Sequence, residues 1–181
     1  MAKVYLISPA RLKSETAIHG NVDERVLKSS ITKVQDMRLE LILGTKLIAK
    51  LKALVTEEVD NPGNVTGIEH ASQAVYKTLL NDHCESVIIN YAVADCIPHI
   101  SYKLSNKGVT LGESENNTQT GTREREGLMA NYLSSGDHYS DRLIRFLCAN
   151  QTDYPEYTAG TDDVSQYRPQ SEESLDAGWE F

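Results

Sequence analysis

The chain lacks a long hydrophobic run, and this absence excludes a membrane-spanning helix. The longest nearly unbroken apolar stretch, from Val87 to Ile97, includes Asn90 and Asp95. It is shorter than the ~20 residues that a helix needs to cross a bilayer. The first ten residues also lack the hydrophobic segment and cleavage site of a signal peptide. We therefore expect no membrane partner, and a protein that stays in the cytoplasm of the cell that makes it.

Cysteine is scarce, and the common sequence motifs of catalysis are missing. Cys84, Cys96 and Cys148 are an odd number at unpatterned spacings, which is typical of reduced thiols. Cys96 and His99 are three residues apart, but no CxxC or HxxxH pair supports a metal site. The chain has no nucleophile elbow, phosphate-binding glycine loop, dinucleotide fingerprint or zinc-protease motif. We expect no catalytic residues, no cofactor and no metal.

The chain also has no excess of basic residues, and its charge is unevenly distributed along the sequence. Residues 1–149 carry 18 acidic and 17 basic residues, whereas residues 150–181 carry eight acidic residues and one arginine. A nearly neutral body lacks the dense Lys and Arg surface that tight, nonspecific binding of nucleic acid needs. Almost the whole net charge of -8 lies in the last thirty-two residues.

The sequence does contain helical periodicity. Its length of 181 residues indicates one domain. Two amphipathic patterns meet at a break at Gly44, and together they predict a core-forming helix pair. The apolar positions before the break are Leu27, Ile31, Val34, Met37 and Leu41, and those after it are Leu47, Ile48, Leu51, Leu54 and Val55.

Residues with turn and capping preferences predict where these helices begin and end. Ser8 and Pro9 indicate the start of a short helix that runs to about Thr16, and Asp23 is suited to cap the long helix. The cluster Asn61-Pro62-Gly63-Asn64 predicts a turn. A further helix is expected over residues 69–80, with a bend or restart near residues 81–82.

The second half of the chain predicts a buried helix, a polar loop and a last long helix. Residues 84–97 are apolar on nearly all faces, which is typical of a central helix, and Pro98 should kink or end it. Asp95 lies inside that helix, and we interpret it as an N-cap or as paired with a neighbouring arginine. Residues 122–150 regain helical periodicity, and Gly136 is a candidate bend.

These patterns predict a mainly α fold in two parts. Residues 1–150 form a helical bundle with a short extended, hairpin-like segment near residues 106–121. Residues 151–181 form a long, extended, acidic tail. Aromatic residues are unusual in such a tail and suit a segment that becomes ordered on a partner, although incidental aromatics in a disordered tail are an alternative. The candidate partner-binding residues are Tyr154, Tyr157, Tyr167, Trp179 and Phe181, and the candidate intersubunit residues are Arg123, Arg125, Arg142 and Arg145.

Several blocks of sequence resemble the head-to-tail connector, or ring, proteins of tailed bacteriophages of the crAss-like kind. The resemblance covers residues 3–157 and consists of the order and spacing of structural blocks. The blocks are HGNVD at 19–23, then Leu27-Lys28, Ile31 and Gln35-Asp36, ILGTKL at 42–47, SYKLSNKGV at 101–109, and DRLIRFLCAN at 141–150 leading into YPEY at 154–157.

The resemblance implies a structural virion protein rather than an enzyme. It implies an adaptor subunit, made in the cytoplasm of the bacterial host, that assembles as a dodecameric ring beneath the portal protein. Such a ring extends the DNA channel toward the tail, contacts further ring or tail proteins, and lets genomic DNA pass without sequence-specific binding. The acidic tail is then expected to wrap a neighbouring subunit, the portal or another ring.

Two other functions remain open at the level of sequence. One is a small helical enzyme or enzyme accessory whose Asp95, His99 and His138 meet in a cleft. The other is a DNA-packaging accessory protein that grips DNA through Arg38, Arg142 and Arg145.

Overall fold

The computed structural model of the chain is mainly helical, as the periodicity predicts, and it describes residues 3–105, 108–111 and 122–157. Most of the predicted C-terminal tail, residues 158–181, lies outside the described residues. The α-helices are α1 (Pro9–Ser14), α2 (Glu24–Val34), α3 (Glu40–Asp60), α4 (Ala74–Thr78), α5 (Glu85–Ser101) and α6 (Thr122–Ala149). Within the described part, no helix combines the length and apolar character that crossing a bilayer requires.

The predicted starts of α1 and α2 are confirmed by their capping bonds, whereas the helix predicted from residue 69 begins only at Ala74. Ser8 Oγ accepts the backbone N–H of Arg11 at 3.1 Å, with Pro9 in the first turn of α1. Asp23 Oδ1 accepts the backbone N–H of Arg25 at 2.9 Å at the start of α2. Each cap satisfies a donor that has no partner inside the helix. The first helix is slightly shorter than expected, because it ends at Ser14.

The predicted break at Gly44 is confirmed, but the helix before it is not a regular α-helix. Gly44 has φ 75° and ψ 161° inside α3, a backbone conformation that favours glycine. Between α2 and α3 the chain forms a π-helical segment, Gln35–Leu39. A π-helix has more residues per turn than an α-helix, so the buried positions shift along the sequence.

This shift makes the predicted burial of Met37 and Leu41 wrong. Leu27, Ile31 and Val34 are buried as expected. Beyond them the buried positions before Gly44 are Gln35, Leu39, Ile42 and Leu43. Three of these, Gln35, Leu39 and Leu43, continue from Ile31 at intervals of four residues. Met37 and Leu41 are therefore turned outward, with 58% and 37% of their surface exposed.

Helix α5 forms the centre of the bundle, as its apolar character predicts. It packs against α2 and α6, and its buried residues include Val87, Ile88, Ala92 and Cys96. A second π-helical segment, Leu79–Cys84, joins it to α4, at the place where a bend or restart is predicted. Pro98 does not end the helix, since α5 continues to Ser101.

The N-terminal residues form an arm that bends at Leu6 and Ile7 and is held by one buried side chain. Leu6 and Ile7 belong to the core. Gln35, which is almost fully buried, accepts the N–H of Leu6 through Oε1 at 2.9 Å and donates Nε2 to the carbonyl of Val4 at 3.1 Å. The π-helical segment therefore both turns Gln35 inward and secures the arm.

A two-stranded sheet follows α5. Strand β1 (Tyr102–Ser105) pairs antiparallel with β2 (Gly108–Leu111), with Tyr102 opposite Leu111 and Ser105 opposite Gly108. Strand β2 lies within the segment near residues 106–121, but its partner β1 lies before that segment, so a hairpin-like element confined to residues 106–121 is not supported. Residues 112–121 lie outside the described part of the chain.

Candidate functional site

The chain closes one end of the α5–α6 pair with an aromatic cluster. The cluster consists of Tyr76, His83, Phe146, Tyr154 and Tyr157. Tyr76 and Tyr154 meet edge to face with centroids 5.9 Å apart, and His83 stacks on Phe146 at 3.8 Å. After α6 the backbone turns, with the N–H of Asp153 bonded to the carbonyl of Asn150 at 3.0 Å. This turn brings the two tyrosines that follow α6 back onto the body.

The burial of Tyr154 and Tyr157 corrects the interpretation of these residues as anchors for a partner. They are only 2% and 4% exposed. The hydroxyl of Tyr154 donates to the carbonyl of Val75 at 3.2 Å, and Glu156 accepts the hydroxyl of Tyr76 at 2.7 Å. The packed body therefore extends to Tyr157, beyond the boundary predicted at residue 150. The other three candidate anchors, Tyr167, Trp179 and Phe181, lie outside the described residues.

Burial changes the acid–base behaviour of the aromatic cluster. Loss of solvent raises the pKa of Tyr154 to about 12. Loss of solvent, followed by the positive charge of Arg142, lowers the pKa of His83. The Nδ1 atom of His83 is buried without a hydrogen-bond partner in the described part of the chain. The ring therefore favours the neutral state, which suits its stacking on Phe146.

Asp95 is paired, as expected for a carboxylate inside an apolar helix, but its partner is a lysine. Lys33 donates to Asp95 Oδ1, and Ser30 donates to Oδ2 at 2.8 Å. His99 Nε2 lies 3.9 Å from Asp95 Oδ2. The expected pairing with an arginine is therefore wrong, and the cation comes from α2 instead.

The three residues of the alternative enzyme site are only partly brought together. Asp95 and His99 are neighbours on α5, whereas His138 lies on α6 and contacts the ring of Tyr139, with centroids 5.7 Å apart. Cys84 and Cys96 are buried free thiols. In the region that the structure describes, no three His, Cys, Asp or Glu side chains are placed to hold a metal ion.

The four candidate intersubunit arginines lie on α6 but do not form one surface. Arg123 and Arg125 belong to its first turns, and Arg142 and Arg145 to its last two turns. At 1.5 Å per residue, about 33 Å of helix separates Arg123 from Arg145. Arg123, Arg142 and Arg145 are exposed, and Arg125 is half-buried and donates to Thr122 Oγ1 at 3.2 Å. Contacts at the two ends of α6 would therefore involve different neighbouring surfaces.

The opposite end of the α5–α6 pair carries an apolar groove that sequence reasoning does not identify. We call it the Met37 groove, and its cavity volume is ≈ 310 Å³. Its apolar lining comes from three parts of the chain, namely Val34 and Met37, Ala94 and Pro98, and Met129 and Leu133. Nearby on α6, Leu128 is 49% exposed. The sequence signal was the apolar stripe through Met37, which turns outward instead of into the core.

Arg38 and Tyr91 form one wall of this groove and separate it from a second cavity. The guanidinium of Arg38 lies 5.0 Å from the centroid of the Tyr91 ring, a cation–π contact. Tyr91 donates its hydroxyl to Asp137 at 2.5 Å. Burial and then this bond raise the pKa of Tyr91 to about 12. The second cavity, of ≈ 240 Å³, is lined by Asp137 and Asp141.

Close contact between α5 and α6 fixes the position of Tyr91. Gly136 is buried, and a Cβ atom there would lie 2.9 Å from Tyr91 Cδ1 and Cε1. Ser140 Oγ donates its single proton to the carbonyl of Gly136 at 2.8 Å, and the same oxygen lies 3.3 Å from the Tyr91 hydroxyl oxygen. Gly136 therefore permits a close helix contact, and α6 continues through it rather than ending or breaking there.

Comparison with known proteins places the chain in a family without an assigned activity. The model of the DUF6712 family, described as a family of unknown function, matches residues 39–165. The chain belongs to this family. No curated protein and no solved structure matches it. The DUF6712 match contains α3, α5 and α6 and begins just after Met37 and Arg38, so it includes most of the groove lining.

Proposed function

We propose that the protein is a structural virion subunit, a head-to-tail adaptor that forms a ring beneath the portal and extends the DNA channel toward the tail. The observation that carries this proposal is the Met37 groove. At the groove Met37 is 58% exposed and lies beside the half-buried Met129 and Leu133, and apolar side chains grouped at the surface of a helical body are typical of surfaces that meet another protein. The groove therefore supports a role in assembly.

The positions of the resembling sequence blocks support the same proposal. Residues 19–23 form the loop before α2, and residues 42–47 contain the break at Gly44. Residues 101–109 lead from α5 into the sheet, and residues 141–150 form the last turns of α6. Two of these blocks join one element to the next, one contains the break inside α3, and one ends α6. A resemblance at such positions concerns the angles between elements, which determine the shape of a subunit.

The proposed partners follow from this role. They are copies of the chain itself in a dodecameric ring, the portal protein, and further ring or tail proteins. Genomic DNA would pass through the ring without sequence-specific binding, which agrees with the nearly neutral body and the acidic C-terminal part. The proposed site of action is the virion, after synthesis in the host cytoplasm. The role requires no catalytic activity and no cofactor.

The mass of the purified protein, alone and mixed with the portal protein encoded by the same genome, tests the proposal. We expect a complex with the portal whose mass corresponds to a ring of subunits. A stable monomer that never joins the portal would overturn the adaptor function. Strong, salt-dependent DNA binding that is lost when Arg38, Arg142 and Arg145 are replaced would instead favour the DNA-packaging accessory.

A further inference from the structure

We propose that the Met37 groove is the receptor for the C-terminal segment of a neighbouring copy, with Trp179 and Phe181 in the groove and Glu180 beside Arg38. This inference rests on the proposed function, because it requires several copies to assemble. The groove then has a partner, and residues 179–181 have a binding site that the composition of the tail alone does not define.

The chemistry of the groove suits two aromatic side chains on either side of an acidic one. Its lining is mostly aliphatic and includes the thioethers of Met37 and Met129, which adapt to irregular shapes and make favourable contacts with aromatic rings. Arg38 lies at the wall between the two cavities. Among the described residues, no carboxylate lies within ion-pair distance of the Arg38 guanidinium. The sequence Trp179-Glu180-Phe181 offers the matching groups.

Charge favours this groove over the cavity beside it. Residues 158–181 contain six acidic residues and one arginine. The neighbouring cavity is also lined by Arg38, but it adds the carboxylates of Asp137 and Asp141, which would repel such a segment. In the Met37 groove, the carboxylate of Asp95 is already paired with Lys33, so the unpaired charge there is the positive one of Arg38. We therefore expect an acidic segment to bind in the Met37 groove rather than in the neighbouring cavity on the other side of Tyr91.

The segment is long enough to reach another subunit. Tyr157 is fixed in the aromatic cluster, and Trp179 follows it by 22 residues. An extended chain of that length spans at most about 70 Å. Helix α6 has 28 residues and is about 42 Å long. The segment can thus extend beyond its own body and bind the same groove on the next copy, which gives a repeating contact of one kind around a ring.

Trp179 is the single tryptophan of the chain, so its fluorescence reports directly on the proposed contact. In the assembled full-length protein, we expect blue-shifted emission and several-fold weaker quenching by acrylamide than in free tryptophan. Dilution to the monomer should restore red-shifted, readily quenched emission. Emission that stays exposed in the assembled protein would overturn the inference, as would blue-shifted emission that persists in the monomer, because the segment would then bind its own body.

Two matched variants test whether the groove is the receptor. Met37→Glu places a carboxylate in the groove, and it should expose Trp179 in the assembled protein. Val59→Glu makes a similar change at a residue of α3 that is 73% exposed and does not line the groove, and it should leave the emission unchanged. Equal effects of the two variants would overturn the assignment. Because both residues are exposed, neither change should prevent folding, and circular dichroism checks this.

A charge exchange tests the predicted pairing of Glu180 with Arg38. Arg38→Glu should increase the quenching of Trp179 several-fold, and the double variant Arg38→Glu with Glu180→Arg should restore most of the protection. Failure of the double variant to restore protection would overturn the pairing. The inference and the proposed function can fail separately. Rings that still join the portal while Trp179 stays exposed would contradict the inference but not the proposed function.

Discussion

The two ends of the α5–α6 pair have apolar linings, but only one of them is covered by described residues of the chain. At the aromatic cluster, the residues after α6 turn back and place Tyr154 beside Phe146. At the Met37 groove, Met37 remains 58% exposed. The difference shows that an apolar lining does not by itself indicate a core. What matters is whether the adjoining chain returns to cover it.

The largest expected effect is at the closed end, where Tyr154 fills the aromatic cluster. Tyr154→Ala should lower the free energy of unfolding by about 3–5 kcal/mol, because it leaves a cavity in a fully buried site. Tyr154→Phe keeps the ring and loses only the bond to the carbonyl of Val75, so it should cost about 1 kcal/mol. Urea denaturation measures both values. Similar losses for the two variants would contradict the cavity argument.

The next effect is at the contact that supports the wall of the open groove. Gly136→Ala should destabilise the protein by about 1–3 kcal/mol, since the new methyl group would overlap the Tyr91 ring. Gly127 lies on the same helix with nothing near its Cβ position, so Gly127→Ala should stabilise the protein by about 0.5–1 kcal/mol. Thermal or urea unfolding of both variants gives the comparison. The argument fails if the two changes have the same sign.

A smaller effect concerns the pH dependence of the closed end. The pKa of His83 is lowered in the folded protein from its ordinary value of 6.5. Between the two pKa values the unfolded chain binds the extra proton, so stability falls as the pH drops below about 6.5. His83→Phe keeps an aromatic ring against Phe146 and should reduce this loss of stability between pH 7 and pH 5.

The control for this prediction is the same replacement at His138, which is exposed. His138→Phe leaves the buried ring of His83 in place, so the loss of stability attributed to His83 between pH 7 and pH 5 should remain. The surrounding charges of Arg142 and Asp82 are retained in both variants. If the two variants show the same dependence on pH, burial of His83 is not its source.

The smallest effect is expected at the open end, on the groove itself. Met37→Ala should change the unfolding free energy by less than about 0.5 kcal/mol, because the side chain is largely exposed. Leu39→Ala, two residues further along and fully buried, should cost about 2–5 kcal/mol. Denaturant unfolding of the two variants measures their free energies of unfolding and so shows which side chain of the π-helical segment belongs to the core. Comparable costs would show that Met37 is part of the core.

Features that depend on a few neighbouring residues are the ones that could be predicted from sequence. The caps at Ser8 and Asp23 require only a short polar side chain before a helix, and the break at Gly44 requires only a residue that tolerates positive φ. The central position of α5 follows from its apolar faces. These predictions are confirmed because the relevant interactions lie within one or two turns of the residues concerned.

Features that depend on distant parts of the chain could not be predicted in the same way. A constant period of 3.6 residues places Met37 inside, whereas the π-helical segment turns it outward and turns Gln35 inward. The composition of the acidic tail gives no reason to separate Tyr154 from Tyr167, although the former fills a core. Gly136 suggested a bend, but the ring of Tyr91 on another helix explains its position.

The same distinction applies to the candidate site, where some features depend on neighbouring residues and others on distant parts of the chain. The sequence indicated that Asp95 must be paired, yet the partner, Lys33, lies 62 residues away on a helix whose rotation cannot be known in advance. The Met37 groove is lined by three separate stretches of sequence, so no single periodic pattern describes it. Its only trace in the sequence is an apolar residue that the π-helical segment turns outward.

The amide of Gln35 holds the N-terminal arm in the way that the backbone of a neighbouring strand would. It bonds the N–H of Leu6 and the carbonyl of Val4. Sliding the arm by one residue would break both bonds and would displace Leu6 and Ile7, which are both buried, from their places in the core. Gln35 therefore sets the register of the arm, and an inserted residue should be tolerated before Val4 but not between Val4 and Leu6.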